Sequence, residues 1–178
     1  MNREPMYRVM TVCTGNICRS PMAQVVLADR FERAGLGHVV QVDSTGISDE
    51  EHGRPIDRRA QRVLAAHGYG VPSHAARRIT REDLAAHDLL LPMTSSHALA
   101  LRALAGGQDH VADRVRLLRT FDPAAPVGGP EHLLDVDDPW YGDQDGFEVT
   151  LAEIEAAADG IVEHVRIELT ARGLLAAD

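Results

Sequence analysis

A short β-prone run leads directly into a polar turn, and this junction constrains the fold more than any other feature. The run covers residues 7–12, and the turn reads Cys13-Thr14-Gly15-Asn16-Ile17-Cys18-Arg19-Ser20. Pro21 follows, and proline is favoured at the first position of a helix. A turn between a strand and a helix N-terminus collects backbone N–H groups in one concavity, which suits a tetrahedral anion. The sequence therefore predicts a phosphate-binding loop after the first strand.

The rest of the chain alternates between strand-like and helix-like segments. Further strands are predicted at residues 38–42, 89–93 and 115–118. Helices are predicted at residues 21–34, 58–67, 80–87, 95–104 and 147–169, and residues 44–57 and 120–146 are predicted as loops. Thr80 and Asp83 predict a capping box at the helix of 80–87, and Ser95 or Ser96 is the predicted cap of the helix of 95–104. This alternation indicates a parallel sheet with helices on both faces. We expect one α/β domain over residues 1–178, with ligands bound beyond the carboxyl ends of the strands.

Composition and charge exclude several classes of function. The chain has 18 Lys plus Arg against 27 Asp plus Glu, a net charge of −9, so neither nucleic acid nor a membrane is an expected partner. No apolar stretch approaches the ~20 residues of a membrane span, and the start lacks a signal region, so a cytoplasmic location is expected. The histidines lack metal-ligand spacing, and no metal or other cofactor is expected. One group of arginines predicts a solvated helix face or, alternatively, a contact with an acidic partner: Arg54, Arg58, Arg59 and Arg62.

Cys13 and Arg19 have the C-x5-R spacing that a nucleophile inside an anion cradle requires. Arg19 can place two donors on two phosphate oxygens, and the positive field of the loop favours the thiolate form of Cys13. Ser20 can donate a hydrogen bond to the sulfur when the sulfur becomes a leaving group. Gly15 and Asn16 tolerate the left-handed backbone that such a loop needs. Together these residues predict hydrolysis of phosphate esters through a phosphocysteine intermediate.

The chain resembles the low-molecular-weight protein tyrosine phosphatase family over nearly its whole length. The signature at residues 12–21 matches at every defined position, and shorter elements match at 43–46, 57–60, 74–77 and 138–140. The segments at 115–123 and 135–139 indicate the actinobacterial branch. The resemblance implies a three-layer α/β sandwich with a four-stranded parallel sheet, no metal, and hydrolysis of phosphomonoesters.

The resemblance also suggests roles for individual side chains. Asp138 matches the family's general acid and base, which protonates the leaving oxygen and then activates water; the adjoining Asp137 is its rival. Asn16, Ser44 and His74 would hold the phosphate loop in shape. The loop residues themselves are Thr14, Gly15, Asn16, Ile17, Cys18 and Ser20.

The second cysteine, Cys18, has two interpretations. Two cysteines are too few for a disulfide framework or a four-ligand zinc site. The resemblance suggests a reversible Cys13–Cys18 disulfide that shields the nucleophile from overoxidation. A small buried side chain without a redox role fits the sequence equally well.

The predicted substrate cleft departs from the family pattern on one side. Trp140 and Tyr141 supply aromatic surface for a phosphoaryl group, in line with the family. Glu50 and Glu51 stand where the family usually carries an aromatic residue. Two acids would repel an acidic phosphopeptide and remove stacking area for phosphotyrosine, and could instead favour a cationic or sugar-like leaving group. The departure concerns the substrate rather than the chemistry.

The function expected first is dephosphorylation of phosphotyrosine in proteins, with inorganic phosphate as product and weak inhibitor. Ile17 favours phosphotyrosine over phosphoarginine, because the resemblance implies a threonine at this position in family members that act on phosphoarginine. The alternatives are a phosphatase of a small phosphorylated metabolite and a non-catalytic phosphate-binding module. Arsenate reduction on the same fold would need further cysteines, and the sequence has none after Cys18.

Overall fold

A parallel three-stranded sheet forms the centre of the computed structural model, which describes residues 7–176. The strands are β1 (Tyr7–Cys13), β2 (Val40–Gly46) and β3 (Leu89–Pro92), in the order β2-β1-β3. The register pairs Cys13 with Gly46 on one side of β1 and Val12 with Pro92 on the other. The three strands therefore end at one edge of the sheet, as the predicted parallel arrangement requires.

The predicted fourth strand at residues 115–118 is wrong for the described part of the chain. Val115 makes a single isolated bridge to Leu90. The Thr120 N–H then donates to the Leu117 carbonyl at 3.0 Å, and a 3-10 helix follows at Leu118–Phe121. The tight turn takes the chain out of extended backbone while Leu117 and Leu118 stay buried. The segment therefore keeps its side chains in the core but does not continue as a strand.

The helices follow the predicted order, with shifts at their ends. Within residues 7–176 they are α1 (Arg19–Arg33), α2 (Arg58–Ala66), α3 (Arg81–Ala86), α4 (Ser95–Ala105), α5 (Asp109–Ala112) and α6 (Gln144–Ala171). Helix α5 was not predicted, and α1 begins two residues before Pro21. Strand β2 extends through residues 44–46, which were predicted as the start of a loop. No helix in this part of the chain has the length and apolar character needed to cross a membrane.

Two helix starts test the capping signals in the sequence. The capping box at α3 is confirmed, since Thr80 accepts from the Asp83 N–H while the Asp83 carboxylate accepts from the Thr80 N–H. Helix α4 was expected to be capped by Ser95 or Ser96. Thr94 caps it instead, with its hydroxyl oxygen accepting from the His97 N–H at 3.3 Å.

Apolar clusters cover both faces of the sheet. Alternate residues of β1 separate between them: Tyr7 and Val9 join one cluster, and Met10 and Val12 join the other. The first cluster contains side chains of α1, α2 and α6, and the second contains side chains of α3, α4 and α5. This confirms an α/β fold built from a parallel sheet and helices, and it places the strand ends between the two clusters.

Residues 122–143 form a long loop with short 3-10 helices at Glu131–Leu134 and Pro139–Tyr141, so the predicted loop at 120–146 is shorter at both ends. It is fastened to the sheet through Val136, which is fully buried and whose N–H donates to the Met93 carbonyl at 2.8 Å. Asp135 accepts from the Ser95 N–H at 2.6 Å, at the start of α4. These contacts bring the following residues, including Asp138, to the same edge as Cys13.

Candidate active site

Cys13 is the last residue of β1, and its buried sulfur lies at the floor of the loop that leads into α1. The Asn16 N–H donates to the sulfur at 3.3 Å, and the Ser20 hydroxyl lies 3.1 Å from it. The Ser20 hydroxyl also lies 3.1 Å from the Thr45 carbonyl, to which it can donate. A hydroxyl has one proton, so Ser20 donates either to Thr45 or to the sulfur.

The carbonyl groups of the loop are turned away from its concave side by hydrogen bonds to surrounding segments. The acceptors are the carbonyls of Cys13, Thr14, Asn16, Ile17 and Cys18, and the donors are, in the same order, Ile47 N–H, Ser48 N–H, His74 Nε2, Asp57 N–H and Met22 N–H, at 2.7–3.1 Å. Because each peptide dipole has its oxygen fixed outward, its N–H end is free for an anion.

Two residues let the loop lie this close to β2. A Cβ atom added to Gly46 would lie 2.6 Å from the Thr14 carbonyl oxygen, so only glycine fits there. Asn16 has the left-handed backbone, with φ 60°. Gly15 was expected to share that conformation but does not have a positive φ. The small size of Gly15 instead makes room for Glu51, because a Cβ atom at residue 15 would lie 3.1 Å from the Glu51 Cγ.

Asn16 is fully buried and links the loop to β2 and to the segment after α2. Its Nδ2 group donates to the Ser20 hydroxyl at 2.9 Å and to the Ser44 hydroxyl at 3.0 Å. Its Oδ1 accepts from the Arg77 N–H at 3.0 Å, and His74 donates to its carbonyl at 2.7 Å. The structure thus brings Ser44 and His74 to the loop, at the positions where the sequence suggested that they support it.

Arg19 is buried and is held between the loop and the segment at 135–138. Its terminal nitrogens donate to the Val136 carbonyl at 3.0 Å and to the Thr14 hydroxyl at 3.4 Å, and lie 3.1 Å from Asp138 Oδ2. Its Nε has no hydrogen-bond partner among the described residues. A buried guanidinium with an unused donor at the loop is suited to bind an anion there.

Asp138, rather than its rival Asp137, faces this arginine. Its side chain is about one third exposed, and Oδ1 accepts from the Trp140 N–H at 3.1 Å, which caps the 3-10 helix. Asp137 is exposed, and its charge acts on another residue. Burial of Glu153 in α6, together with the nearby charge of Asp137, raises the pKa of Glu153. The geometry favours Asp138 for the acid role.

The loop forms the floor of a cleft of about 120 Å³. Trp140 and Tyr141 line it, and so do Glu50 and Glu51, as the sequence suggested. Glu51 Oε2 accepts from Arg54 at 2.7 Å, whereas Glu50 is exposed. Acidic and aromatic side chains therefore line the same cleft.

His97 is a residue of this site that the sequence did not reveal. It is buried in α4, and its Nε2 lies 2.8 Å from the Thr14 hydroxyl. Burial and the neighbouring charge of Arg19 lower the pKa of His97 to about 4, so its ring is neutral near pH 7. It stands 83 positions from Thr14, and no local motif connects the two residues.

Arg59 does not lie on a solvated face, as the sequence predicted for its arginine group, but is bonded within the chain. It makes two hydrogen bonds to the Asp57 carboxylate and donates to the carbonyls of Trp140 and Gly142 at 3.2 and 3.3 Å. Its guanidinium also lies over the rings of Trp140 and Phe147. Arg59 thus fastens the segment that carries Asp138 to the start of α2.

Both cysteines are free thiols in the structure, and both are buried. Burial, followed by the charges of Asp57 and Cys13, raises the pKa of the Cys18 thiol, so Cys18 is neutral near pH 7. The Cys13–Cys18 disulfide stays a prediction. Over residues 7–176, no group of three or more His, Cys, Asp and Glu side chains is arranged to hold a metal ion.

Comparison with known proteins gives a consistent picture. The sequence model of the family described as low molecular weight phosphotyrosine protein phosphatase matches residues 8–171. A low molecular weight protein-tyrosine-phosphatase of Streptomyces coelicolor is 47% identical over 93% of this chain and 98% of its own length. Low molecular weight protein-tyrosine phosphatase A of Mycobacterium tuberculosis is 44% identical over 96% of this chain and 98% of its own length. The crystal structure of YfkJ from Bacillus subtilis superposes with a TM-score of 0.83 at 28% identity, covering 93% of this chain and 98% of that one.

Proposed function

The chain belongs to the low molecular weight phosphotyrosine protein phosphatase family, and from this premise we propose how its own residues hydrolyse phosphotyrosine in proteins. Cys13 is the nucleophile, Arg19 binds the phosphate, and Asp138 is the general acid and base. One observation carries the assignment. The Cys13 sulfur lies beneath a loop whose carbonyl groups are bonded outward, beside an arginine that contacts a partly exposed carboxylate.

The first step transfers the phosphoryl group to sulfur. The phosphate binds to loop N–H groups and to Arg19, and in doing so takes the place of Asp138 at the guanidinium. The carboxyl group then lies beside an anion, which favours its protonated form. The Cys13 thiolate attacks phosphorus while the bond to the tyrosyl oxygen breaks, and the leaving oxygen takes the Asp138 proton.

The second step returns the enzyme to its starting state. Asp138, now a carboxylate, accepts a proton from a water molecule whose oxygen attacks phosphorus. The sulfur–phosphorus bond breaks and its electron pair stays on Cys13. The Ser20 hydroxyl, released from the Thr45 carbonyl, donates to the developing thiolate. Inorganic phosphate leaves, and as a ligand of the same loop it is expected to inhibit weakly.

Trp140 and Tyr141 are proposed to contact the ring of the phosphotyrosine. Both line the cleft beside Asp138 and are 41% and 87% exposed, so their surface is available for stacking. Ser44 and His74 act through Asn16, by fixing the loop rather than by touching substrate.

A second candidate function is hydrolysis of a small phosphorylated metabolite. The observation in its favour is that Glu50 and Glu51 line the cleft, at positions where the resemblance implies an aromatic residue that would stack on phosphotyrosine. The mechanism would be unchanged. The two functions differ only in the group attached to the phosphate.

The test is Cys13-dependent phosphate release at mildly acidic pH. The panel contains p-nitrophenyl phosphate, phosphotyrosine, phosphoserine and phosphoarginine peptides, and several sugar phosphates. We expect release from phosphotyrosine peptides, and we expect Cys13→Ser to lose at least about 10⁴-fold in kcat while still binding phosphate. Release only from sugar phosphates would favour the metabolite function. Near-normal turnover by Cys13→Ser would refute the nucleophile assignment, and no release at all would favour a binding module.

We propose further that residues 1–178 form one domain in three layers. The family match over residues 8–171 and the apolar cluster on each face of the sheet support this. The cytoplasmic location stays a prediction, to be tested by cell fractionation.

A further inference from the structure

A second cleft, of about 420 Å³, lies beside the catalytic one and shares two of its walls, Ile17 and Trp140. Its other wall is the segment at residues 54–59, which contributes three arginines. We call it the arginine cleft. In a chain with a net charge of −9, three guanidinium groups around one depression form a locally cationic surface next to the reacting centre.

The three arginines are not equally engaged. Arg59 is used in holding Asp57 and the carbonyls of the acid segment. Arg54 forms an ion pair with Glu51 at 2.7 Å. Arg58 is exposed, and within residues 7–176 it has neither a salt bridge nor a side-chain hydrogen bond. Asp57 pairs with Arg59 and Glu51 with Arg54, while Asp138, whose charge also acts on Arg59, pairs with Arg19. Among the described residues, Arg58 is the cation of this cleft that has no partner.

The charges around the catalytic cleft are therefore polarised. Glu50 and Glu51 line it directly, whereas the arginine cleft opens beyond Ile17 and Trp140. An anionic group bound near Glu50 would be repelled, and the same group placed over Arg58 would be attracted. A substrate with a carboxylate next to its phosphotyrosine therefore binds more favourably when that carboxylate points toward Arg58 than when it points toward Glu50.

We propose that the arginine cleft binds a carboxylate side chain of the phosphoprotein substrate, one to three residues from the phosphotyrosine, through Arg58. This rests on the proposed function, and it narrows the substrate class to phosphotyrosine sites with a neighbouring Asp or Glu on one side. An extended peptide advances about 3.3–3.6 Å per residue, so such a neighbour can reach a depression that adjoins the catalytic cleft.

The experiment compares kcat/KM for three phosphotyrosine peptides: glutamates on the N-terminal side, glutamates on the C-terminal side, and alanines on both. The enzymes are the wild type, Arg58→Glu and the matched control Arg62→Glu, which changes the net charge equally from an exposed position on the same helix, outside the cleft. We expect the better acidic peptide to exceed the neutral one, and Arg58→Glu to reduce that ratio about fivefold. Arg62→Glu should leave the ratio unchanged.

p-Nitrophenyl phosphate and the neutral peptide report on each variant's integrity, and neither should distinguish the three enzymes. Added salt should reduce the wild-type preference, because screening weakens an exposed ion pair. Equal ratios for wild type and Arg58→Glu, or equal losses in both variants, would overturn the inference and leave the proposed function intact. Failure of the proposed function has a different signature, the absence of Cys13-dependent phosphate release from any of these substrates.

Discussion

The phosphate loop and the acid segment meet at Arg19, yet they are held in different ways. The loop at residues 13–20 is mostly buried, and its carbonyls and the Asn16 side chain are bonded to the segments around it. The acid segment at 138–141 is largely exposed and depends on a few contacts, chiefly with Arg19 and Arg59. The part that binds phosphate is fixed before substrate arrives, whereas the part that handles the leaving group is held weakly enough to adjust.

Among the changes that test this comparison, Asp138→Asn is expected to have the largest effect, because it removes the proton donor and preserves the shape of the acid segment. We expect kcat to fall about 10²–10³-fold for phenyl phosphate, a poor leaving group, and far less for p-nitrophenyl phosphate. The measurement is a plot of log kcat against leaving-group pKa. Asp137→Asn is the matched control and should behave as wild type. Equal slowing of all substrates by Asp138→Asn would place the acid elsewhere.

Asn16→Ala tests the rigid side of the comparison. It leaves the Arg77 N–H without its acceptor, removes the donor shared by the Ser20 and Ser44 hydroxyls, and puts alanine at φ 60°. We expect a loss of about 3 kcal/mol in unfolding free energy, with kcat reduced for good and poor leaving groups alike. Urea denaturation and the leaving-group series measure the two effects. A stable variant that loses only reactions with poor leaving groups would contradict the distinction between the two regions.

Arg59→Gln is the corresponding change on the adjustable side. It removes the link between Asp57 and the carbonyls of Trp140 and Gly142. We expect about a tenfold loss in kcat for poor leaving groups, and a change in unfolding free energy of only about 1 kcal/mol. The same two assays apply. A larger cost in stability than Asn16→Ala would show that the acid segment is the better anchored of the two.

His97 makes the stability of the site depend on pH. Its pKa of about 4 in the folded protein lies below the ordinary 6.5, so the unfolded chain binds more protons between these values. Stability is then fully present above pH 6.5 and is lost as the pH falls toward 4. Between pH 7 and pH 4.5 the wild type should lose about 2 kcal/mol more than His97→Gln, measured by urea denaturation. If the unfolding free energies of the two proteins changed in parallel with pH, His97 would not be the source of the pH dependence.

The smallest effect is expected from Glu50→Trp, at the edge of the catalytic cleft. An aromatic ring there should improve kcat/KM for a neutral phosphotyrosine peptide about threefold through stacking. Glu50→Gln separates the removal of charge from the gain of a ring. No change in either variant would mean that residue 50 does not contact the substrate.

The two regions also differ in how far the sequence could predict them. The phosphate loop was predictable because its chemistry is local: Cys13, Arg19 and Ser20 lie within eight residues, and the strand and helix around them follow from the same segment. The contacts that place Asp138 are not local, since Arg59 and Val136 act across long sequence separations. The fourth strand failed for a related reason, because buried leucines at 117 and 118 suit a 3-10 turn as well as a strand.

The outward-bonded carbonyls of the loop have a consequence for where its binding ability resides. Their donors come from the residues just after β2, from the start of α2, from His74 and from α1. The orientation of the peptide dipoles is therefore a property of the assembled tertiary structure, fixed at the cost of folding rather than at the moment of reaction. A synthetic peptide with the sequence of residues 12–21 would contain the whole motif and still lack the anion-binding site. That site forms only when distant parts of the chain have folded around the loop.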